Sequence, residues 1–139
     1  MSIKKKSKVI VTGAAGFIGS HLCTTLVNQG YDVHAIDNLS TGRKENLNHL
    51  KNKIKFYNYD LSINGKWKNI FTKNTVYVFH LAAIADIIPS VVNPKKYFNS
   101  NVLSTLNILE RCKNLNLKKL VYTASSSCYG IPKKYPTKE

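Results

Sequence analysis

At 139 residues the chain holds one domain at most, and no apolar run reaches the ~18 residues that a membrane span needs. Its 21 Lys and Arg against 7 Asp and Glu give a formal charge of +14, a balance that raises nucleic acid as a partner. Only Arg43 and Arg111 are arginines, and the lysines fall in scattered pairs such as Lys95-Lys96 and Lys118-Lys119 with no aromatic platform. They read as solvated charge, so no specific nucleic-acid partner is expected.

The basic start, Met1 to Lys8, has no cleavage-site pattern after it and is not read as a signal peptide. From Lys8 to Ser20 a β-branched run (Val9, Ile10, Val11) ends in Gly13, Gly16 and Gly19, and an amphipathic run follows. This predicts a strand, a tight turn and the first turn of a helix. In the G-x-x-G-x-x-G spacing, Gly13 permits a backbone conformation that a Cβ hinders, Gly16 allows approach to a pyrophosphate, and Gly19 lets helix and strand pack closely. Glycines mark turns in any protein, so the surroundings decide. Ile18, Leu22 and Leu26 give a helical stripe that stops at Gly30. Cys23 in that helix is one of three widely spaced cysteines, with Cys112 and Cys128. They read as free thiols in a reducing cytoplasm, and no metal site is expected.

A second strand, Asp32 to Ile36, ends on Asp37, about twenty residues past the glycines and placed to accept hydrogen bonds from an adenosine ribose. Residues 8 to 37 thus read as a dinucleotide site. The polar loop from Asn38 opens a short helix toward Leu50. It contains Arg43, which suits a 2′-phosphate, but Asp37 repels that group, so NAD is favoured over NADP. The third strand starts at Lys53 and leads to Asp60 and Leu61, with Asp60 either a turn starter or a neighbour of an adenine. Residues 62–74 predict a short helix packed through Trp67, Ile70 and Phe71. Thr75 to Ala83 is a continuous apolar run, the mark of a buried parallel strand, with Leu81, Ala82 and Ala83 at its carboxyl end. His80 within it reads as a satisfied buried histidine rather than an acid–base group. A loop with Pro89, Ser90 and Pro94 leads into a helix from Lys95 to about Cys112, buried through Phe98, Asn101, Thr105, Ile108 and Cys112. Asn101 needs partners for its amide, either neighbouring backbone or the cofactor site. A fifth strand from Lys118 runs into Ser125, Ser126 and Ser127.

Taken together, Thr12-Gly-Ala-Ala-Gly-Phe-Ile-Gly-Ser-His21, Asp37-Asn-Leu-Ser-Thr-Gly42, Asp60-Leu61, His80-Leu-Ala-Ala83, Asn101-Val102 and Ser125-Ser-Ser-Cys-Tyr-Gly130 resemble the NAD-dependent epimerase/dehydratase family, the extended short-chain dehydrogenase/reductases. Within it the resemblance is to the nucleotide-sugar 4-epimerases. It implies an α/β fold, a Rossmann-like doubly wound parallel sheet in three αβα layers, with strand order 3-2-1-4-5. It implies bound NAD, with Gly13, Gly16, Phe17, Ile18 and Gly19 at the pyrophosphate and Asp37, Asn38, Leu39, Ser40, Thr41 and Gly42 around the adenosine. Asp60 and Leu61 would contact the adenine, Leu81, Ala82 and Ala83 would line the cofactor, and Asn101 would support it.

The same resemblance implies that Ser125 is the catalytic hydroxyl, acting on a UDP-sugar. Ser126 and Ser127 stand where sugar dehydratases carry an acidic pair, which favours epimerisation. The family's base is the tyrosine of a Tyr-x-x-x-Lys motif on a helix. Tyr129-Gly-Ile-Pro-Lys133 fits by letter only, because Gly130 and Pro132 oppose a helix. Residues 1–139 are therefore expected to be an incomplete NAD-binding domain, cut after about five strands, from an enzyme that is a homodimer at full length.

Overall fold

The computed structural model describes residues 6–131 and 134–136. Five parallel strands, β1 (Lys8–Thr12), β2 (Asp32–Asp37), β3 (Ile54–Asn58), β4 (Thr75–His80) and β5 (Lys119–Tyr122), form one sheet in the order β3-β2-β1-β4-β5. The expected Rossmann-like order is found.

β1 is central and every one of its residues is buried, so its side chains sort by parity into two cores. Val9 and Val11 pack with Val33 and Ala35 under Cys23 and Leu26 of helix α1 (Phe17–Asn28) and under Leu47 and Leu50 of a 3-10 helix, Lys44–Leu50. Ile10 packs on the opposite face with Ile36, Val78, Trp67, Phe71 and Ile108. Each such side chain, fully buried, contributes on the order of 1.5–3 kcal/mol. Lys8 closes the lower end of β1: its ammonium donates to the Ile70 carbonyl and to Thr72 Oγ1.

Three elements differ from expectation. The segment with Pro89 is a helix, α2 (Ile87–Val92), because the proline sits in the first turn, where its missing N–H has no intrahelical partner. The helix predicted from Lys95 to Cys112 is α3 (Pro94–Tyr97), a π-helical stretch (Phe98–Leu103) and α4 (Ser104–Cys112), run together. The wider π turn rotates the buried face. Phe98, assigned to the buried stripe, is 55% exposed, and Ser104 is buried instead. β5 stops at Tyr122, before the serines, and as an edge strand leaves Val121 and Tyr122 exposed.

His80, at the end of β4, is fully buried. Its Nδ1 lies 2.7 Å from Thr12 Oγ1 and its Nε2 lies 2.9 Å from Thr105 Oγ1. Burial lowers its pKa from 6.5 to about 4. His34 in β2 is shifted the same way, by burial and by the charge of Lys8, against the opposing pull of Asp32.

A histidine that is neutral when folded takes up protons on unfolding, so stability falls as pH drops from the unfolded value toward the folded one. Unfolding free energy should decrease by about 2 kcal/mol between pH 7 and about pH 5 from His80 alone. Chemical denaturation across that range measures it, and a flat profile contradicts the assignment. The thiols differ from one another in the same way, by burial. It pushes Cys23 up to about 12, and it raises Cys112 to about 11 against the opposing charge of Arg111. Cys128 is the exposed thiol of the three. A thiol reagent should label Cys128 alone in the native protein, and Cys128→Ser should abolish the fast phase. Native labelling of a second cysteine would contradict this packing.

Candidate functional site

The chain reverses at the carboxyl end of β1. Gly13 has φ +65°, a left-handed conformation that favours glycine. A Cβ on it would lie 2.8 Å from Ala82 N and from the Leu81 carbonyl carbon, so the turn rests directly on the backbone leaving β4. A Cβ on Gly19 would come within 2.1 Å of the Gly13 oxygen, which no rearrangement of side chains relieves. Gly16 differs: its Cβ would stand 3.3 Å from the Gly13 oxygen, a tight contact that asks that oxygen to give by a few tenths of an ångström rather than a direct overlap. The protein's own packing demands Gly13 and Gly19, whereas Gly16 lines an open cleft that the packing leaves bare. Gly16 is also the N-cap of α1 and has no side chain to cap the amides of the first turn.

Asp37 ties the second strand to this turn. Its Oδ2 accepts the Ala15 amide at 2.9 Å and its Oδ1 accepts the Leu39 amide at 2.7 Å. Each carboxylate oxygen keeps a second lone pair. The loop after Asp37 folds back over the turn. Leu39 takes φ +59°, held by the Asp37 bond and by Asn38 Oδ1, which accepts the Ser40 amide at 3.0 Å. Arg43 donates its amide, and Asn46 its side-chain nitrogen, to the Ala15 carbonyl.

Asp60 starts a turn and also lines the cleft. Its Oδ1 accepts the Ser62 amide at 2.8 Å and the Ser62 hydroxyl at 2.6 Å. Partial burial works to raise its pKa, but the bonds from Ser62 and Asn38 outweigh it and hold the carboxyl below its usual range.

One cleft gathers these pieces. Gly13 and Gly16 form its floor, Asp37, Asn38, Ser40, Thr41 and Gly42 one side, Asp60 and Leu61 the far end, and Leu81, Ala82 and Ala83 the other side. The remaining residues singled out from the sequence lie elsewhere. Phe17 and Ile18 are exposed on the outer surface of α1 at 79% and 63%, Gly19 is buried behind the turn, and Leu39 packs against the core. Asn101 holds backbone, the first of its two alternatives: Ile84 donates its amide to Oδ1 at 2.9 Å, and Nδ2 donates to the Ile84 carbonyl at 2.8 Å.

Ser125 caps the 3-10 turn Ser126–Tyr129, accepting the Ser127 amide at 3.2 Å, and is exposed outside the cleft lining. Tyr129 ends that turn before Gly130 at φ +67°, so it is not on an α-helix. Pro132 and Lys133 lie outside the described residues. Four further residues line the cleft without being singled out for it in the sequence: Ile36 in β2, Tyr59 just after β3, and Ser100 and Ser104. The two serines continue at four-residue spacing into the buried Ile108 and Cys112, but small polar residues there resemble a solvent face. Among the described residues no group of three His, Cys, Asp or Glu is placed to hold a metal, and no helix is long and apolar enough to cross a membrane.

Known proteins are similar to this chain in sequence and in fold. UDP-glucose 4-epimerase of Bacillus subtilis is 35% identical over 136 residues, which are 94% of this chain and 40% of that protein. The solved UDP-N-acetylglucosamine 4-epimerase of Methanobrevibacter ruminantium superposes with a TM-score of 0.86 at 39% identity, covering 98% of this chain and 43% of the other. UDP-glucose 4-epimerase of Bifidobacterium longum, solved in complex with NAD+ and UDP, superposes with a TM-score of 0.84 at 33% identity, covering 95% and 41%. The chain thus spans about two fifths of the length of these relatives. The family model of the NAD dependent epimerase/dehydratase family matches residues 9–139, and with this sheet and this glycine turn the chain belongs to that family.

Proposed function

We propose that this chain is the NAD-binding part of a nucleotide-sugar 4-epimerase acting on a UDP-hexose. The observation that carries the reading is the convergence of Gly13, Gly16, Asp37, Asp60 and Leu81–Ala83 on one cleft at the carboxyl ends of neighbouring strands, where ligands of open α/β sheets bind. The cleft fits the cofactor on its own terms. Gly16 offers a bare backbone that the fold does not require, and the uncapped start of α1 offers amides and a positive dipole end to a pyrophosphate. Asp37 retains lone pairs for ribose hydroxyls, and its negative charge opposes a 2′-phosphate. Arg43 does not line the cleft.

When bound, NAD supplies reversible acceptance of a hydride from the sugar. The roles of this chain are to bind and to orient. Asp60 and Leu61 would flank the adenine, Leu81, Ala82 and Ala83 would exclude water along one side, and Asn101 fixes that side through Ile84. Ser125, beyond β5 at the same end of the sheet, is the hydroxyl assigned to the reacting sugar oxygen. Its present partner, Ser127, is another hydroxyl at 3.0 Å and is readily exchanged for substrate.

A second reading, an NAD-binding module or one piece of a split protein, is favoured by Tyr129, which ends a 3-10 turn before Gly130 rather than standing on an α-helix. Both readings predict that the 139-residue chain binds NAD. With the base supplied from elsewhere, the chain alone should not interconvert UDP-glucose and UDP-galactose, and turnover by it would overturn the placement of the base outside Tyr129.

Calorimetric titration tests the cofactor site itself. Gly16→Val should leave the fold intact and weaken NAD binding by about a hundredfold or more, a loss of ~3 kcal/mol, because it fills the floor of the cleft. Gly19→Ala should instead compromise folding. Unchanged NAD affinity in folded Gly16→Val would contradict the reading.

A further inference from the structure

A chain of hydrogen bonds behind the cleft joins β1, β4 and α4. The Thr12 hydroxyl is 3.2 Å from both the Leu81 and the Ala82 amides, each of which donates to it; the Leu81 amide is shared with the Thr12 carbonyl at 3.3 Å. A hydroxyl has two lone pairs and one proton, so the Thr12 proton goes to the one remaining partner, His80 Nδ1, at 2.7 Å. At the far side of the ring, the Thr105 hydroxyl donates to the Asn101 carbonyl at 2.6 Å and so accepts from His80 Nε2 at 2.9 Å. Every donor then meets an acceptor under one assignment only, a neutral imidazole protonated at Nε2. An imidazolium would present two N–H groups and force a third donor onto Thr12. Tyr122 stacks on the imidazole at 5.6 Å, and burial alone accounts for the lowered pKa of the histidine.

We propose that His80 is a positioning residue of the cofactor cleft: it fixes the Thr12 hydroxyl so that both lone pairs hold the Leu81 and Ala82 amides against Gly13. The consequence for binding rests on the cofactor reading above; the consequence for the amides does not. With Nδ1 removed as acceptor, the Thr12 proton competes for other partners, the two amides loosen, and the side of the cleft that meets Gly13 loses its fixed place. The histidine acts through Thr12 and touches no ligand.

Two substitutions separate the nitrogens. In His80→Asn, the side-chain oxygen stands near the position of Nδ1 and continues to accept from Thr12. In His80→Gln, the amide nitrogen stands near Nε2 and continues to donate to Thr105, while Thr12 loses its acceptor. Amide hydrogen exchange at Leu81 and Ala82 should be slow in the wild type and in His80→Asn, and at least about tenfold faster in His80→Gln. NAD affinity, measured by calorimetry, should follow the same order, within about threefold of wild type for Asn and about tenfold weaker for Gln. Equal exchange in all three proteins, or equal loss in both variants, would overturn the proposal. A wild type that binds no NAD but shows this exchange pattern would sink the cofactor reading and leave the positioning role standing. The wild-type protein provides a check that needs no variant to fold. Its 15N spectrum should show Nε2 protonated and Nδ1 bare from about pH 7.5 to about pH 5.5, and a proton on Nδ1 within that range would overturn the assignment.

Discussion

The structure depends on a contact with no room in it. Where β1 turns, Gly13 meets the backbone of Leu81 and Ala82 so closely that an added Cβ would stand 2.8 Å away. That contact fixes the first glycine turn against the end of β4, and Gly19 fixes the start of α1 against Gly13 in turn. A glycine here is a packing requirement before it is a ligand-binding one. Gly16 has no such requirement, and the cleft opens above it.

Around this contact the buried polar groups are used to hold backbone. Asp37 takes an amide on each oxygen, Asn101 pairs with both polar groups of Ile84, and the Thr12 hydroxyl holds two amides while donating a hydrogen bond to His80 Nδ1. Among the described residues no buried side-chain polar atom lacks a partner. Buried polar groups cost several kcal/mol each when unpaired and are stabilising only when satisfied together. Such a network explains how a cleft made of loops keeps a defined shape on a sheet of this size.

The sheet is legible in the sequence because its signal is physical and local. Val9-Ile-Val11, Asp32–Ile36 and Thr75–His80 are β-branched or apolar runs of strand length, separated by turn residues and amphipathic helix. The cleft is legible where a residue type has one good use, as with Asp37 at the end of β2 and the small residues after β4. It is not legible where a change in helix geometry decides the outcome. A π-helical stretch leaves no mark in a 3.6-residue pattern, so the pattern puts Phe98 inside; Ser100 and Ser104 are passed over because small polar residues resemble a solvent face. The side chains of Phe17 and Ile18 follow the helix outward, although their positions in the motif lie beside the turn.

Whether these strand ends make one adenine-nucleotide cleft can be read from the backbone amides of the 15N-labelled chain, followed by NMR during titration with NAD. Gly13, Gly16, Asn38, Leu61 and Ala82 should shift together along a single binding curve, while the groove beside β3 lined by Lys44, Lys51 and Phe56 does not respond. Saturable shifts confined to that groove, or no shifts at Gly13 and Ala82, would contradict the single cleft.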